Sequence, residues 1–372
     1  MATESDPEDL PWPHPRANPA CLGHEDAEQV VLDAWRSGRM PHAWLISGPE
    51  GIGKATFAYR MIRFVLSGGG ETQGGGLFGE DLPATSLATD RESSLFQRIA
   101  AQGHADVKVL VRGMADANGK PTPTVINAYA TRKAVEFAYR TSAEGGYKII
   151  LVDPVDDMNP SAANALLKAL EEPPGKALFL LVSHRPGGLL PTIRSRCRSL
   201  RLSPLPTQTV ETLLSDTLPD VDAETRNCLA RLSDGSIGRA LSLQAAGGLD
   251  LYRGFVDLLQ GDPFDWATIH TLGDTLARKG SEAAYASFRE LVDWWLSRAV
   301  IAAARSQRPA EILIGEDRAY GRLLAANSAT KLDDLRRIVA EQLGRTDPPA
   351  NLSKKQVILL TFMTLEPAMR GR

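Results

Sequence analysis

The sequence predicts a parallel α/β domain of the phosphate-loop type, followed by a small helical lid and an all-helical C-terminal domain. Three observations predict it. A short apolar run at 43–47 leads into the glycine-rich segment 48–54, and apolar residues at helical spacing follow. A second apolar strand, 147–153, ends in an acidic residue. From Leu249 onward, apolar residues recur at intervals of three and four, which is typical of packed helices.

The glycine-rich segment reads Gly-Pro-Glu-Gly-Ile-Gly-Lys, and its strand and helix flanks favour a phosphate-binding loop over an accidental turn. Glycines let backbone N–H groups turn inward, and the start of the following helix adds positive potential. The predicted nucleotide-binding residues of the loop are Gly48, Gly51, Gly53 and Lys54. The next position, where a magnesium-binding hydroxyl belongs, holds Ala55. Thr56 is turned away from that position by one helical step of about 100°.

The acidic strand ends at Asp153, which is placed to hold magnesium through water. The following residue, where a carboxylate would polarise the attacking water, is Pro154, which has no proton-accepting side chain. We interpret Asp156 and Asp157 as an N-cap cluster for the helix that opens near residue 160, in preference to a catalytic role. Since Ala55 and Pro154 both remove hydrolytic groups, we expect no firm ATP binding by this chain.

Several segments in order link this scaffold to one family. The double proline at 173–174 stops a helix, a strand follows at 177–183, and residues 190–197 read Leu-Pro-Thr-Ile-Arg-Ser-Arg-Cys. Together with Gly23-His24, residues 144–147 and the Gly-Ser-Ile-Gly-Arg-Ala segment at 235–240, this pattern resembles the bacterial clamp-loader subunits of the AAA+ class. The resemblance implies an AAA+ module, a lid and a helical collar that joins subunits in a ring.

In that family the triplet matched by Ser195, Arg196 and Cys197 carries an arginine finger. The resemblance implies that Arg196 acts in trans on the ATP of a neighbouring subunit, because a permanently charged guanidinium stabilises charge on the transferring phosphoryl group. A surface salt bridge is the alternative for Arg196. Arg239 resembles the second sensor arginine that touches nucleotide in active relatives. The alternative interpretation, a solvated arginine in a turn, is equally favoured.

An intact Arg196 beside a degraded nucleotide site implies a subunit without independent enzymatic activity. By resemblance, it works in the DNA polymerase III complex with gamma/tau and delta subunits, and helps load the sliding clamp onto primed DNA. The polymerase activity belongs to other chains. The alternative is a catalytically active gamma-like ATPase, or another AAA+ remodeller, that binds magnesium through Thr56 or water.

Composition is consistent with these expectations. The chain has 372 residues, 43% of them hydrophobic, which is enough for two or three domains with buried cores. Only Cys21, Cys197 and Cys228 are present, so neither a zinc module nor any other metal site is expected. Without a predicted membrane span or signal peptide, we expect a cytoplasmic protein. A net charge of −3 predicts no DNA binding by the chain alone.

Turn-forming residues predict the domain boundaries. We expect a disordered N-terminal tail at 1–18, the α/β domain at 19–204 with a flexible glycine-rich loop at 67–79, the lid at 205–247 and the collar at 248–372. Within the α/β domain, a short strand is expected at 107–111 and a helix at 124–140. Trp294 and Trp295 cannot share one helix face, so one of them is expected to meet a partner or a neighbouring helix.

Overall fold

The computed structural model describes residues 12–69, 84–347 and 350–371. The chain folds as two compact units. The first runs to Val210 and includes Asp234–Gly238, and the second comprises Glu211–Ser233 and the residues from Arg239 onward. Of the predicted flexible loop at 67–79, residues 70–79 lie outside the described part, as do residues 1–11 of the predicted tail.

The first unit is built on a parallel sheet of five strands in the order β2-β3-β4-β1-β5. The strands are β1 (Ala43–Ser47), β2 (Val107–Leu110), β3 (Lys148–Val152), β4 (Ala177–Ser183) and β5 (Arg198–Arg201). The three central strands are buried along their whole length, which explains why they are continuous apolar runs in the sequence. The predicted α/β fold with a parallel sheet is confirmed. In such a sheet all carboxyl ends meet at one edge, where ligands bind.

Six helices belong wholly to this unit: α1 (Glu25–Arg36), α2 (Lys54–Leu66), α3 (Ser94–Ala100), α4 (Ala128–Ala138), α5 (Pro160–Glu171) and α6 (Pro191–Arg194). Apolar residues of α1 and α2 share one core cluster with the sheet, and those of α4 and α5 share a second. The predicted helix at 124–140 is shorter than expected, because the Asn127 side chain accepts a hydrogen bond from the Ala130 N–H and starts α4 at Ala128.

Residues 12–18 have a defined structure, so the prediction of a disordered tail is wrong for this part. Pro15–Ala17 forms a single 3-10 turn. Arg63 of α2 is only 1% exposed, and it donates hydrogen bonds to the carbonyl groups of Arg16 and Asn18, each at 3.0 Å. Its guanidinium also lies 4.6 Å from the centroid of the Phe96 ring. A buried cation thus fastens the N-terminal segment to the first unit.

The second unit is helical. It contains the end of α7 (Thr207–Thr217), α8 (Ala223–Leu232), and α9 (Ile237–Ala245) from Arg239 onward. The helices that follow are α10 (Gly248–Gln260), α11 (Trp266–Ala277), α12 (Glu282–Arg305), α13 (Glu316–Ala326), α14 (Ala329–Gly344) and α15 (Lys354–Arg370). Within the described ranges, no helix combines the length and the hydrophobicity that a membrane span requires.

Both adjacent tryptophans of α12 are buried within this unit. Trp295 stacks on Tyr320 of α13 at a centroid distance of 4.5 Å, and Trp294 meets Tyr252 of α10 edge-on at 5.9 Å. Neighbouring helices of the same unit therefore cover both side chains, which leave α12 about 100° apart.

A buried carboxylate holds the segment that enters β3. Asp106 forms an ion pair with Lys148 at 2.7 Å and accepts hydrogen bonds from Ser142 Oγ and from the N–H groups of Ala143 and Glu144. Burial alone would raise the pKa of Asp106, but the Lys148 ammonium and these donors outweigh it and hold the pKa well below the usual range. Its contribution to stability is therefore present above the unfolded-state pKa of about 3.9 and lost as the pH falls further.

We predict that Asp106→Asn lowers the free energy of unfolding at pH 7 by about 3 kcal/mol, because Lys148 is left buried without its counter-ion. The exposed substitution Asp220→Asn is the matched control, with an expected change within about 0.5 kcal/mol. Urea unfolding at pH 7 and at pH 3 measures both. The difference between wild type and Asp106→Asn should shrink at pH 3, and a difference that stays constant between the two pH values would contradict this role.

Candidate phosphate loop and arginine site

The glycine-rich loop connects β1 to α2, as the sequence predicts. Gly48 has a φ of 153°, and a Cβ atom there would lie 2.4 Å from the Leu202 carbonyl oxygen, so only glycine fits. Gly53 has a φ of 99° and precedes α2 without any side chain that caps the helix. The N–H groups of the first turn of α2 are therefore not used by the helix itself, which is the usual geometry of an anion site.

Three successive carbonyl groups of the loop are held by hydrogen bonds from outside it. The Glu50 carbonyl accepts from Ser236 Oγ at 2.9 Å, the Gly51 carbonyl from the Gly238 N–H at 2.9 Å, and the Ile52 carbonyl from His24 Nε2 at 2.8 Å. A Cβ at position 238 would lie 2.9 Å from Gly51 Cα, so this close approach requires glycine. The loop is thus fixed from two sides by residues of its own unit.

Lys54 is engaged inside the loop. Its side chain is buried, and its Nζ donates a hydrogen bond to the Pro49 carbonyl of the same loop. Burial lowers the pKa of Lys54 to about 8, although the charges of Asp153, Glu50 and Asp156 act in the opposite direction. The ammonium that would bind outer phosphates has a protein carbonyl as its partner in this structure.

Asp153 follows β3 at the carboxyl edge of the sheet, where its N–H bonds to the Leu110 carbonyl at 2.9 Å. Burial raises the pKa of Asp153 to about 6, and the Lys54 charge only partly offsets this. Asp153 and Pro154 line a cleft of about 650 Å³, together with Tyr59 and Arg112. The structure thus brings Lys54 and Asp153 into electrostatic contact at the end of the sheet, with no carboxylate at position 154.

The interpretation of Asp156 and Asp157 as an N-cap cluster is wrong. The N-cap of α5 is Asn159, whose side chain accepts a hydrogen bond from the Ala162 N–H at 2.8 Å. The carboxylate of Asp156 instead holds the turn after β4, where its donors are Ser183 Oγ at 3.0 Å and the N–H groups of His184 at 2.7 Å and Arg185 at 3.0 Å. Asp157 pairs with Arg112 at 3.1 Å. Asp156 is a structural residue that the sequence alone did not identify.

The triplet Ser195, Arg196 and Cys197 connects α6 to β5. Arg196 forms a salt bridge with Glu171 at 2.8 Å and donates to the Thr192 carbonyl at 2.9 Å, while 33% of its side chain remains exposed. Ser195 Oγ also donates to the Thr192 carbonyl, at 3.2 Å. Burial raises the pKa of the Cys197 thiol to about 12, so this cysteine stays protonated and has a packing role. Arg196 thus forms the surface salt bridge that was the alternative interpretation, and its partner Glu171 was not predicted from the sequence.

Arg239 belongs to the helical unit, where its guanidinium lies 5.6 Å from the centroid of the Trp294 ring. Its proposed contact with nucleotide stays a prediction. Among residues 12–69, 84–347 and 350–371, no group of three or more His, Cys, Asp or Glu side chains is arranged to hold a metal ion, and Cys21, Cys197 and Cys228 are free thiols.

Known proteins place this loop and this triplet in one family. Residues 23–206 match the family model described as "DNA polymerase III, delta subunit". Residues 23–206, just under half of the chain, are thus similar to this DNA polymerase III subunit family. The matched segment contains the loop, Asp153 and the Ser195–Cys197 triplet, and the resemblance to bacterial clamp-loader subunits is confirmed.

Individual relatives agree with the family. The chain is 38% identical over 207 residues to the DNA polymerase III subunit delta' of Pseudomonas aeruginosa. The aligned region covers 55% of this chain and 56% of the relative. It is 34% identical over 218 residues to the subunit delta' of Escherichia coli, in an alignment that covers 59% of this chain and 58% of the relative. It is 27% identical over 233 residues to the DNA polymerase III subunit gamma of Buchnera aphidicola, in an alignment that covers 62% of this chain and 58% of the relative. The similarity therefore spans somewhat more than half the length of these relatives.

We predict that Asp153→Asn lowers the pKa of Lys54 further below about 8, because it removes the strongest charge that favours the ammonium. The measurement is an NMR titration of the Lys54 Cε and Hε signals, assigned by comparison with Lys54→Arg. Glu50→Gln is the matched control and should lower the pKa by less, since its charge acts more weakly on Lys54. An unchanged Lys54 pKa in Asp153→Asn would show that the two groups do not interact.

Proposed function

We propose that the chain is a delta'-type subunit of the DNA polymerase III clamp loader, which helps load the sliding clamp onto primed DNA. Its partners would be gamma/tau and delta subunits in a cytoplasmic complex, and clamp and DNA would be met through that complex. The observation that carries the proposal is the match of residues 23–206 to the family together with a phosphate loop that lacks its hydrolytic groups.

In this proposal the chain's own site does not hydrolyse ATP. Ala55 supplies no magnesium-binding oxygen, and Pro154 supplies no carboxylate for the attacking water. In addition, the Lys54 ammonium would have to leave the Pro49 carbonyl before it could bind a phosphate. Since the loop carbonyls are held by His24, Ser236 and Gly238, the loop serves as a rigid joint of the first unit.

Arg196 would act on the ATP held by a neighbouring subunit. It is partly exposed and pre-positioned by Glu171 and the Thr192 carbonyl, so it is held in one place before assembly. Exchange of Glu171 for a phosphate is inexpensive, because a solvent-exposed ion pair contributes only about 0–1 kcal/mol. An arginine finger contributes roughly 10³–10⁵-fold in turnover, so the gain at the neighbouring site greatly exceeds the loss of the salt bridge.

A catalytically active, gamma-like ATPase is the second candidate. It is favoured by the similarity to the Buchnera gamma subunit and by the uncapped first turn of α2, whose N–H groups suit an anion. The two candidates differ in what the purified chain does with ATP.

We predict that the purified chain shows no ATP turnover above background and no Mg–ATP binding that depends on Lys54. Isothermal titration calorimetry and a coupled ATPase assay test this directly. Lys54→Ala is the control and should leave both readings unchanged. Stoichiometric binding at micromolar ATP, with turnover that Lys54→Ala abolishes, would favour the active ATPase.

We predict that Arg196→Ala, in a complex reconstituted with gamma/tau and delta subunits, lowers turnover at one ATP site by on the order of 10³-fold. The steady-state ATPase rate of the complex should then fall by the fraction that this one site contributes to it. Arg198→Ala removes an exposed arginine two residues away and is the matched control, and Glu171→Gln should retain activity because it leaves the guanidinium in place. An ATPase rate unaffected by Arg196→Ala would leave the chain a scaffold only.

A further inference from the structure

A second cleft, of about 780 Å³, opens beside the edge strand β5. Its floor is formed by β1 and β5, and its walls by the turn after β4 and by α6. The lining includes Arg194 at the end of α6 and Arg201 at the end of β5. Gly48 and Pro49 at the start of the phosphate loop also line this cleft, whereas Lys54 and Asp153 do not. His184 lines both this cleft and the cleft of Asp153.

The permanently charged side chains that line the cleft are both cations. Its lining contains the two arginines, His184 and no carboxylate among the residues that the structure describes. Neither Arg194 nor Arg201 forms a salt bridge with a described residue, and both are exposed. Arg196, by contrast, is already paired with Glu171. Two guanidinium groups that share a concave surface without counter-ions repel each other, and an anion between them relieves that repulsion.

Rigid elements carry both arginines. Arg201 pairs in register with Ser47 in the parallel sheet, and its neighbour Leu202 donates its N–H to the Ser47 carbonyl at 2.8 Å. The opposite wall includes Pro186 and Pro191, whose rings restrict the backbone. Asp156 fixes the start of that wall through the N–H groups of His184 and Arg185. A site on strands and braced turns holds its ligand groups more accurately than a loose surface does.

We propose that Arg194 and Arg201 form a binding site for a phosphate-type anion in this cleft, beside the start of the phosphate loop and without Lys54. The planar guanidinium fork matches phosphate oxygens in pairs. Ser195 and Ser199 in the same lining supply hydroxyl donors. The volume lies in the range of small-molecule sites and is large enough for a pyrophosphate or a nucleoside polyphosphate.

The test is calorimetric titration of the full-length chain with sodium pyrophosphate at low ionic strength. We expect binding in the sub-millimolar range, weakened at least tenfold by Arg194→Gln and by Arg201→Gln. Arg198→Gln is the matched control, because it removes the same charge from the same strand but lines a different cleft, with Val30 and Trp44. Its affinity should stay within about twofold of wild type, as should that of Lys54→Gln.

Three results would overturn the proposal: no binding at millimolar pyrophosphate, loss of binding in Lys54→Gln, or equal weakening by Arg194→Gln, Arg201→Gln and Arg198→Gln. Circular dichroism and thermal unfolding of each variant check that the fold is intact. Arg194→Lys should give an intermediate affinity, because the charge remains and the planar fork is lost.

A parallel titration with ATP separates the two sources of the phosphate. Tighter binding of ATP than of pyrophosphate, lost in Arg201→Gln and retained in Lys54→Gln, assigns a nucleotide to the cleft. Equal affinity for both assigns the phosphates alone, and ATP binding that depends on Lys54 and not on Arg201 contradicts the site. Because the chain is titrated alone, the outcome does not depend on its assembly with other subunits.

Discussion

Three hydrogen bonds from residues outside the phosphate loop fix its backbone, and they connect separate segments of the first unit. His24 binds the Ile52 carbonyl, and Ser236 and Gly238 bind the carbonyls of Glu50 and Gly51. Each bond contributes about 0.5–1.5 kcal/mol, but together they join the start of the α/β domain, the centre of the sheet and the segment Asp234–Gly238. We propose that the loop, fixed by these three donors, serves as a structural joint of the first unit.

The charges around that joint follow from its burial. Burial lowers the pKa of Lys54 to about 8 and raises the pKa of Asp153 to about 6. Desolvation therefore outweighs the attraction between the two groups. With Ala55 and Pro154 at the neighbouring positions, the hydrolytic oxygens are missing as well. On α6 and β5, by contrast, Arg194 and Arg201 are exposed, and Arg196 in the segment between them is partly exposed.

Local pattern was enough to predict the strands, the loop and the helical C-terminal region, because continuous apolar runs and 3.6-residue spacing reflect burial directly. The helix predicted at 124–140 begins later, and the signal for its true start was present in Asn127, a preferred N-cap residue. The roles of Asp156 and Glu171 could not be predicted in this way. Their partners lie 27 and 25 positions further along the chain, and only the tertiary fold brings them together. The role of Arg63 had only a weak signal in the sequence, because a cation within the apolar face of α2 indicates a buried polar contact without naming its partner.

We infer that the loop 48–54 is a structural joint and that the chain acts through its exposed arginines. A crystal structure of the chain grown with Mg–ATP tests this most directly. We expect Lys54 Nζ to stay on the Pro49 carbonyl and no phosphate to lie against the first turn of α2. An ATP molecule bound through the loop N–H groups, with Lys54 turned onto its phosphates, would contradict it.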